Sequence, residues 1–245
     1  MKTGDQIKTG CCGFRMAQRE YVEQFSVVEV QQTFYHPPQV STLEKWRREA
    51  PPDFEFTLKA WMLITHEARS PTYRRLKREL SEEEREECGS FRPTGIVREA
   101  WDVTRACASA LGARLVLFQC PASFKPTPGN IRNMRRFFSE AERGPLQFLW
   151  EPRGDWPDRT IKELCAELEL VHVVDPFVAR TLTPQLYYFR LHGRKGFRYV
   201  YETDELQELL GMLPRGQTSY VLFNNVRMAR DAARFQELIA EREDE

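Results

Sequence analysis

The chain has 245 residues, of which 41% are hydrophobic and 29% are charged. This balance can fill a core, and it argues against disorder as the overall state. Lysine plus arginine equals aspartate plus glutamate at 36 each, so there is no global basic field of the kind that drives non-specific binding to nucleic acid or membrane.

Simple sequence patterns predict where the protein is located and the state of its cysteines. No stretch approaches the roughly 18 apolar residues that a membrane helix needs. The start, MKTGDQIKTG, lacks the apolar core of a signal peptide. We therefore expect a cytoplasmic protein with no membrane partner. The six cysteines form no CxxC pair, so we expect free and mostly buried thiols.

Eight short apolar stretches are predicted to be strands, and most of them end in a polar or ionisable residue. In chain order they are 7–12, 27–31, 54–59, 115–119, 147–151, 171–175, 187–192 and 220–224. Between them apolar residues recur at three- and four-residue spacing, as in helices that lie on a sheet. This alternation predicts an α/β fold with a parallel sheet and helices outside. Eight repeats are enough to close a (β/α)8 TIM-type barrel as a single domain over 1–245.

The longest connection follows the third strand and runs from Trp61 to about Gly95. It is rich in charged residues, and a capping box from Ser81 to Glu84 indicates a short helix within it. Because it leaves the carboxyl end of a strand, it emerges on the face where barrels place their sites. We expect residues 61–95 to be a charged insertion, either a lid over a site or a solvated excursion.

Strand parity predicts a cluster of polar side chains inside the barrel, because alternate residues of each strand point inward. Counting from the apolar residues of each strand predicts that acidic and basic side chains lie together at one end of the barrel. The inward set is Glu29, Lys59, Gln119, Glu151, Asp175, Arg190, His192 and Asn224. Such a cluster requires mutual pairing, because an unpaired charge in an interior costs on the order of several kcal/mol.

Three members of this set are the candidate catalytic residues. Glu151, which precedes Pro152 and Arg153, is favoured as a general acid or base, and the alternative is a carboxylate neutralised by Arg153. His192 suits proton transfer near neutral pH, or is a hydrogen-bonded core histidine. Lys59 is an anion anchor or, if desolvated, an amine nucleophile or base, and the alternative is a lysine that reaches solvent.

The other members are candidate substrate-binding residues, together with Arg153. Glu29 and Arg190 lie deeper than the strand ends, and a structural ion pair between them is as well supported as a substrate contact. Asp175 either orients His192 or Lys59, or caps the next turn. Gln119, Arg153 and Asn224 suggest polar contacts with substrate, although asparagine is also common at turns.

The segment 192–198, HGRKGFR, combines two glycines with three cations after the seventh strand. Barrels often bind phosphate in the loops after strands seven and eight, where backbone amides and cations meet the anion. With Lys59, Arg153 and Arg190 predicted nearby, a small anionic molecule is the expected partner. No GxGxxG or GxxxxGK[ST] motif requires a nucleotide.

Metal chemistry stays open as an alternative. Glu29, Glu151, Asp175 and His192 are residue types that hold a divalent ion in several barrel enzymes, but no HxH or HxxE spacing supports a metal site. No cofactor is predicted, and a divalent metal is the alternative. The adjacent Cys11 and Cys12 fit a nucleophile or an iron or zinc ligand less well than buried packing.

Seven blocks of sequence resemble the YecE-like family, domain of unknown function 72. They are TGCCGF (9–14), FSVVEVQQTFYHPP (25–38), LEKWRREAPPDFEFTLKAWMLITH (43–66), LVLFQCPASF (115–124), FLWEPRGDW (148–156), YYFRLHGR (187–194) and YVLFNN (220–225). The resemblance implies a TIM-type barrel and no settled activity. The first block departs from the Ser-Gly-Trp type sequence of many relatives.

The resemblance also carries a set of residues over, motif by motif. They are Glu29, Thr33, Phe34, Tyr35, Lys59, His66, Gln119, Pro121, Glu151, Arg153, His192, Gly193, Asn224 and Asn225. This set adds the aromatic block at 34–35 and His66 to the residues that parity selects.

The sequence favours an enzyme that uses acid/base chemistry on an anionic, phosphorylated or sugar-like small molecule, as a hydrolase, lyase or isomerase. Glu151 and His192 would transfer protons, and Lys59 and Arg153 would hold the anion. The residues that would position the rest are Glu29, Asp175, Arg190 and Asn224. Two alternatives remain, a metal-dependent phosphodiester or nucleic-acid hydrolase and a non-catalytic binding protein. A nucleic-acid partner is disfavoured, and the sequence sets no oligomeric state.

Overall fold

A computed structural model describes residues 7–244 of the chain. Eight parallel strands form one sheet in the order β6-β5-β4-β3-β2-β1-β8-β7, and helical segments lie between consecutive strands along the chain except between β6 and β7. The fold is therefore the predicted (β/α)8 barrel class. The strands are β1 (Ile7–Cys11), β2 (Val27–Val30), β3 (Glu55–Lys59), β4 (Leu115–Gln119), β5 (Gln147–Glu151), β6 (Leu170–His172), β7 (Tyr187–Leu191) and β8 (Ser219–Phe223).

The helices follow the apolar spacing of the sequence. They are α1 (Gln18–Gln24), α2 (Gln32–Tyr35), α3 (Val40–Glu49), α4 (Met62–Thr65), α5 (Glu82–Glu87), α6 (Gly95–Leu111), α7 (Pro128–Glu140), α8 (Asp158–Glu167), α9 (Thr203–Met212) and α10 (Met228–Asp244), with a 3-10 turn at Pro71–Arg75. Within residues 7–244, no helix has the length and apolar content needed to cross a membrane.

The described residues fall into two compact units. The first unit comprises the described residues up to Glu29, Ala50–Glu55 and the described residues from Val171 onward. The second unit comprises Val30–Glu49 and Phe56–Leu170. The single domain over 1–245 stays a prediction.

In the first unit, β8 is the central strand and pairs in parallel with β1 and β7. The register runs from Ile7↔Ser219 on one side and Tyr187↔Ser219 on the other. Beyond the end of β6, Val174 forms an isolated parallel bridge with Phe189. The strand predicted over 171–175 is therefore shorter, because only a bridge continues it past His172.

In the second unit, β4 is the central strand and pairs in parallel with β3 and β5. Its outer face is covered by α6, whose predicted apolar stripe is buried, including Trp101 and Leu111. Phe91, Trp101, Phe118 and Phe137 pack as a cluster of rings with centroids 5.4 to 6.2 Å apart. This cluster fixes β4 against α6 and α7, and so fixes where β4 ends.

The insertion at 61–95 belongs to the second unit and contains α4, the 3-10 turn and α5. The predicted capping box is present, because the Ser81 hydroxyl accepts from the Glu84 N–H and the Glu84 carboxylate accepts from the Ser81 N–H. At its base, Gly89 donates to the Leu63 carbonyl at 2.7 Å and Phe91 donates to the Ile64 carbonyl at 2.9 Å. These bonds close residues 64–89 into a loop. Its role as a lid stays a prediction.

All six cysteines are free and buried, as predicted. Burial raises the pKa of Cys11 to about 12 and the pKa of Cys12 well above its ordinary value. Both side chains are therefore neutral thiols at neutral pH, and a thiolate is the form that attacks or binds metal. Packing is the role that this environment supports.

Gly10 lies where the backbone of β1 closely approaches the backbone of β2. A Cβ at this position would lie 2.0 Å from the Val27 carbonyl oxygen, which accepts a hydrogen bond from the Tyr21 hydroxyl at 2.9 Å. Gly10→Ala should therefore lower the free energy of unfolding by about 3 kcal/mol, because backbone would have to move. Gly211→Ala is the control, because its Cβ would meet nothing within 4 Å in helix α9, and it should add roughly 0.5–1 kcal/mol. Urea unfolding measures both, and equal effects would contradict the close approach.

Candidate functional site

Three neighbouring strands of the second unit end in polar side chains. Lys59 ends β3, Gln119 ends β4 and Glu151 ends β5, and Gln119 is the register partner of Glu151. The Lys59 ammonium donates to the Gln119 side-chain carbonyl at 3.0 Å. Lys59 and Gln119 therefore lie on the same side of the sheet, and the carboxyl edge of this unit carries a row of polar side chains.

Lys59 is held in a nearly buried position, with 5% of its surface exposed. Its ammonium lies 3.5 Å from the centroid of the Phe34 ring. The Thr33 hydroxyl donates to the Lys59 carbonyl at 2.7 Å, which ties α2 to the end of β3. A ring face attracts an ammonium, and the Lys59 side chain lies in a largely desolvated setting.

Glu151 lies beside a cation from its own loop. The Arg153 guanidinium Nε donates to the Glu151 carboxylate at 2.5 Å, and the carboxylate side chain is 5% exposed whereas Arg153 is 37% exposed. The pairing by Arg153 that the sequence left open is thus present. A buried carboxylate next to a more exposed guanidinium can accept a proton while the guanidinium binds an anion.

His66 is a further buried polar group at this edge, and only the family resemblance indicated it. Its Nδ1 lies 2.8 Å from the Thr65 hydroxyl, and its ring packs edge-on against Phe34 with centroids 5.0 Å apart. Burial, and secondarily the charge of Lys59, lowers the pKa of His66 to about 3. The imidazole is therefore neutral beside the Lys59 cation.

In the first unit, Glu29 and Arg190 form a fully buried ion pair. The Arg190 guanidinium donates to both Glu29 carboxylate oxygens, at 3.1 and 2.8 Å, and the Tyr188 hydroxyl donates to the same carboxylate at 2.8 Å. Both charged side chains are 0% exposed. This geometry matches the structural interpretation of the pair. Alternation along β7 predicts that Tyr188 lies on the same face as Arg190. Sequence reasoning assigned no role to its hydroxyl, which the structure shows bound to the Glu29 carboxylate.

His192 follows β7 and contacts two other predicted residues. Its Nδ1 lies 3.1 Å from the Asn224 side-chain nitrogen, and its backbone N–H donates to the Asp175 carboxylate at 2.9 Å. Asp175 also accepts from the Phe177 N–H at 3.1 Å, as a residue that caps a turn does. The first unit thus brings together His192, Asn224 and Asp175.

In the loop 192–198, Arg194 pairs with Glu205 and with Glu208, each at 3.0 Å, and the Gly193 N–H donates to the Tyr201 hydroxyl at 2.9 Å. Arg194 and this amide are therefore held by residues outside the loop, and anion binding by the segment stays a prediction. Helix α9 supplies these carboxylates, and local spacing around residue 194 could not reveal them.

Residues 7–244 contain no group of three or more histidine, cysteine, aspartate or glutamate side chains arranged to hold a metal ion. The metal-dependent alternative has no ligand set in this part of the chain. The convergence of all predicted residues around one mouth stays a prediction of parity.

The role of the Glu29–Arg190 pair can be measured. Glu29→Gln should lower the free energy of unfolding by about 3–5 kcal/mol, because it leaves the buried Arg190 charge without its carboxylate. Glu167→Gln removes the partner of the exposed Arg135 and should cost about 0–1 kcal/mol. Comparable losses in urea unfolding would show that burial of the pair is not what stabilises it.

The neutral state of His66 makes the stability depend on pH. The unfolded chain binds a proton at this residue below its ordinary pKa of 6.5, whereas the folded chain does so only near 3. The stabilisation is complete above about pH 6.5 and is lost as the pH falls. Lowering the pH from about 7.5 to 5 should therefore cost the native chain about 2 kcal/mol more than it costs His66→Gln. Urea unfolding at both pH values measures this, with exposed His36→Gln as the control that retains the native dependence.

Solved structures with the same fold include other proteins of unknown function. A DUF72 family protein from Enterococcus faecalis V583 matches with a TM-score of 0.72 and 21% identity, over 96% of this chain and 98% of that chain. One from Thermotoga maritima MSB8 matches with a TM-score of 0.68 and 21% identity, over 96% and 99%. A xylose isomerase domain containing protein from Salmonella typhimurium LT2 matches with a TM-score of 0.55 and 14% identity, over 96% and 95%. These likenesses show the barrel fold alone.

The family is decided by the sequence of nearly the whole chain. No curated protein matches it. A family model described as "Protein of unknown function DUF72" matches residues 15–245, which leaves the atypical first block at 9–14 outside the match. The chain therefore belongs to the DUF72 family.

Proposed function

We propose that this DUF72 protein is an enzyme that transfers protons on a small anionic, sugar-like or phosphorylated molecule. Glu151 transfers the proton, and Lys59 and Arg153 hold the negative group. The observation that carries the proposal is the row of side chains at the ends of β3, β4 and β5, where a desolvated ammonium is linked to Gln119 in register with a carboxylate. These are the groups that proton abstraction beside a carbonyl requires.

The chemical step needs only groups in this row. The Glu151 carboxylate removes a proton from the carbon next to a sugar carbonyl, so that a C–H bond breaks and an O–H bond forms. The electron pair moves onto the carbonyl oxygen and gives an enediolate. Glu151 returns the proton to the former carbonyl carbon while the proton of the neighbouring hydroxyl passes to the enediolate oxygen, and the product is an isomer with no change in oxidation state overall.

Two features favour a sugar-like substrate over a larger polymer. The Lys59 and Glu151 side chains are nearly buried, which suits a small molecule. The likeness to the xylose isomerase domain containing protein, although it concerns the fold, makes sugar isomerisation the first reaction class to test. The phosphodiester hydrolase alternative needs a metal ligand set, which the described residues do not provide.

Deuterium exchange tests the proposal without knowledge of the physiological substrate. The protein is incubated in heavy water with a panel of aldoses, ketoses and their monophosphates, and proton NMR follows loss of the C–H signal next to the carbonyl. The native chain should exchange at least one sugar of the panel, and Glu151→Gln should lose the exchange by roughly a hundredfold or more. Exchange that persists in Glu151→Gln, or none with any member of the panel, would refute the proposal.

Two controls separate catalysis from folding. Glu163→Gln alters an exposed carboxylate and should exchange at the native rate. Glu151→Gln should melt within roughly 4 °C of the native chain, because amide and carboxylate have similar shape and Arg153 is partly solvated. A collapse in melting temperature would mark Glu151 as structural. His192→Gln in the same assay tests the proton-transfer role predicted for His192.

A further inference from the structure

The 3-10 turn of the insertion docks against residues that flank Lys59. The Tyr73 hydroxyl donates to the His66 carbonyl at 2.7 Å. The Arg75 guanidinium carbon lies 3.5 Å from the centroid of the Tyr35 ring. Together with the hydrogen bond between the Tyr73 hydroxyl and the Cys88 Sγ at 2.9 Å, these contacts fix the turn Pro71–Arg75.

Stacking on Tyr35 prepares Arg75 for binding an anion. A guanidinium that lies on a ring uses its face and keeps the N–H groups at its edge for hydrogen bonds, in the fork geometry that matches phosphate. Arg75 is exposed, and no carboxylate forms an ion pair with it among the described residues. Its orientation is fixed before any ligand arrives, which reduces the entropic cost of binding.

The rings of Tyr35 and Phe34 lie between Arg75 and Lys59 in a chain of contacts. Tyr35 packs edge-on against Phe34 with centroids 4.8 Å apart, and the Lys59 ammonium lies 3.5 Å from the Phe34 centroid. One cation therefore lies over each ring of an adjacent pair. A ligand that carries two separate negative groups can pair with both cations, whereas we expect a compact anion such as pyrophosphate to pair with one.

We infer that Arg75 is a specificity-determining residue that binds a second anionic group of the substrate. The inference rests on the proposed function, in which Lys59 holds the first anionic group. The substrate class becomes a sugar with negative groups at both ends, such as a bisphosphate or a phosphorylated sugar acid. The insertion then contributes directly to binding.

The competing explanation is that Arg75 only fastens the turn to Tyr35. The two explanations differ in what removal of the charge does. A fastener would affect stability and would affect all ligands equally. A specificity residue would affect only ligands that carry the second anionic group.

Calorimetric titration with matched ligands distinguishes them. The probes are fructose 6-phosphate, fructose 1,6-bisphosphate and inorganic pyrophosphate. The native chain should bind the bisphosphate about tenfold more tightly than the monophosphate, the gain expected of one added charge-assisted pair. Arg75→Gln should remove this preference and leave monophosphate binding within about twofold, whereas Lys59→Met should weaken both sugars. Pyrophosphate binding should be the same in the native chain and in Arg75→Gln.

Variants of neighbouring residues are the controls. Arg74→Gln removes an exposed charge from the same turn and should keep the preference. Tyr35→Phe keeps the ring and should keep it too, whereas Tyr35→Leu removes the stacking surface and should reduce it. Equal binding of the two sugars by the native chain, binding of neither, or a retained preference in Arg75→Gln would overturn the inference. Deuterium exchange is a separate readout, so failure of the proposed reaction with an intact Arg75 effect remains distinguishable.

Discussion

A charge inside this fold needs a partner, and the kind of partner separates structural residues from reactive ones. Glu29 and Arg190 are both fully buried and are joined by two hydrogen bonds, with the Tyr188 hydroxyl as a third donor to the carboxylate. Opposite charges at this distance neutralise each other. The pair holds both side chains in one arrangement, and removing the two charges from water costs free energy. Lys59 is stabilised differently, by the neutral carbonyl of Gln119 and the face of Phe34. Both contacts attract a cation, and neither of these two groups carries a formal charge.

The neutral state of His66 has a related origin, because burial penalises the charged imidazole. Burial is the main cause that lowers the pKa of the imidazole to about 3, and the charge of Lys59 lowers it further. The ring that packs against Phe34 is therefore neutral. This is the environment in which a single negative group of a small molecule gains most from a single ammonium, because little water screens the attraction.

Sequence reasoning succeeded where the chemistry is local to a strand. The body of β4 is fully buried and its end, Gln119, is polar, so alternation alone predicted both its bounds and its side. The fold class followed from eight such strands in series. The same reasoning gave no sign that Glu205 and Glu208 of α9 pair with Arg194. It also gave no role to Arg75, whose partner Tyr35 is 40 positions earlier in the chain. Contacts between distant segments leave no periodic signal.

The base of the insertion and the turn within it both lie against the backbone carbonyl of His66, a residue of the candidate site. Gly89 closes the base of the insertion with a φ of +81°, and a Cβ there would lie 2.3 Å from the His66 carbonyl oxygen. The same oxygen accepts from Tyr73 within the insertion. Ser90 and Phe91 also have positive φ, a conformation that costs on the order of 1 kcal/mol or more per residue, and burial of the Phe91 ring among Phe118, Phe137 and Phe138 offsets it. The base of the insertion therefore packs into the core, and the Tyr73 hydroxyl links the turn that carries Arg75 to the backbone of His66.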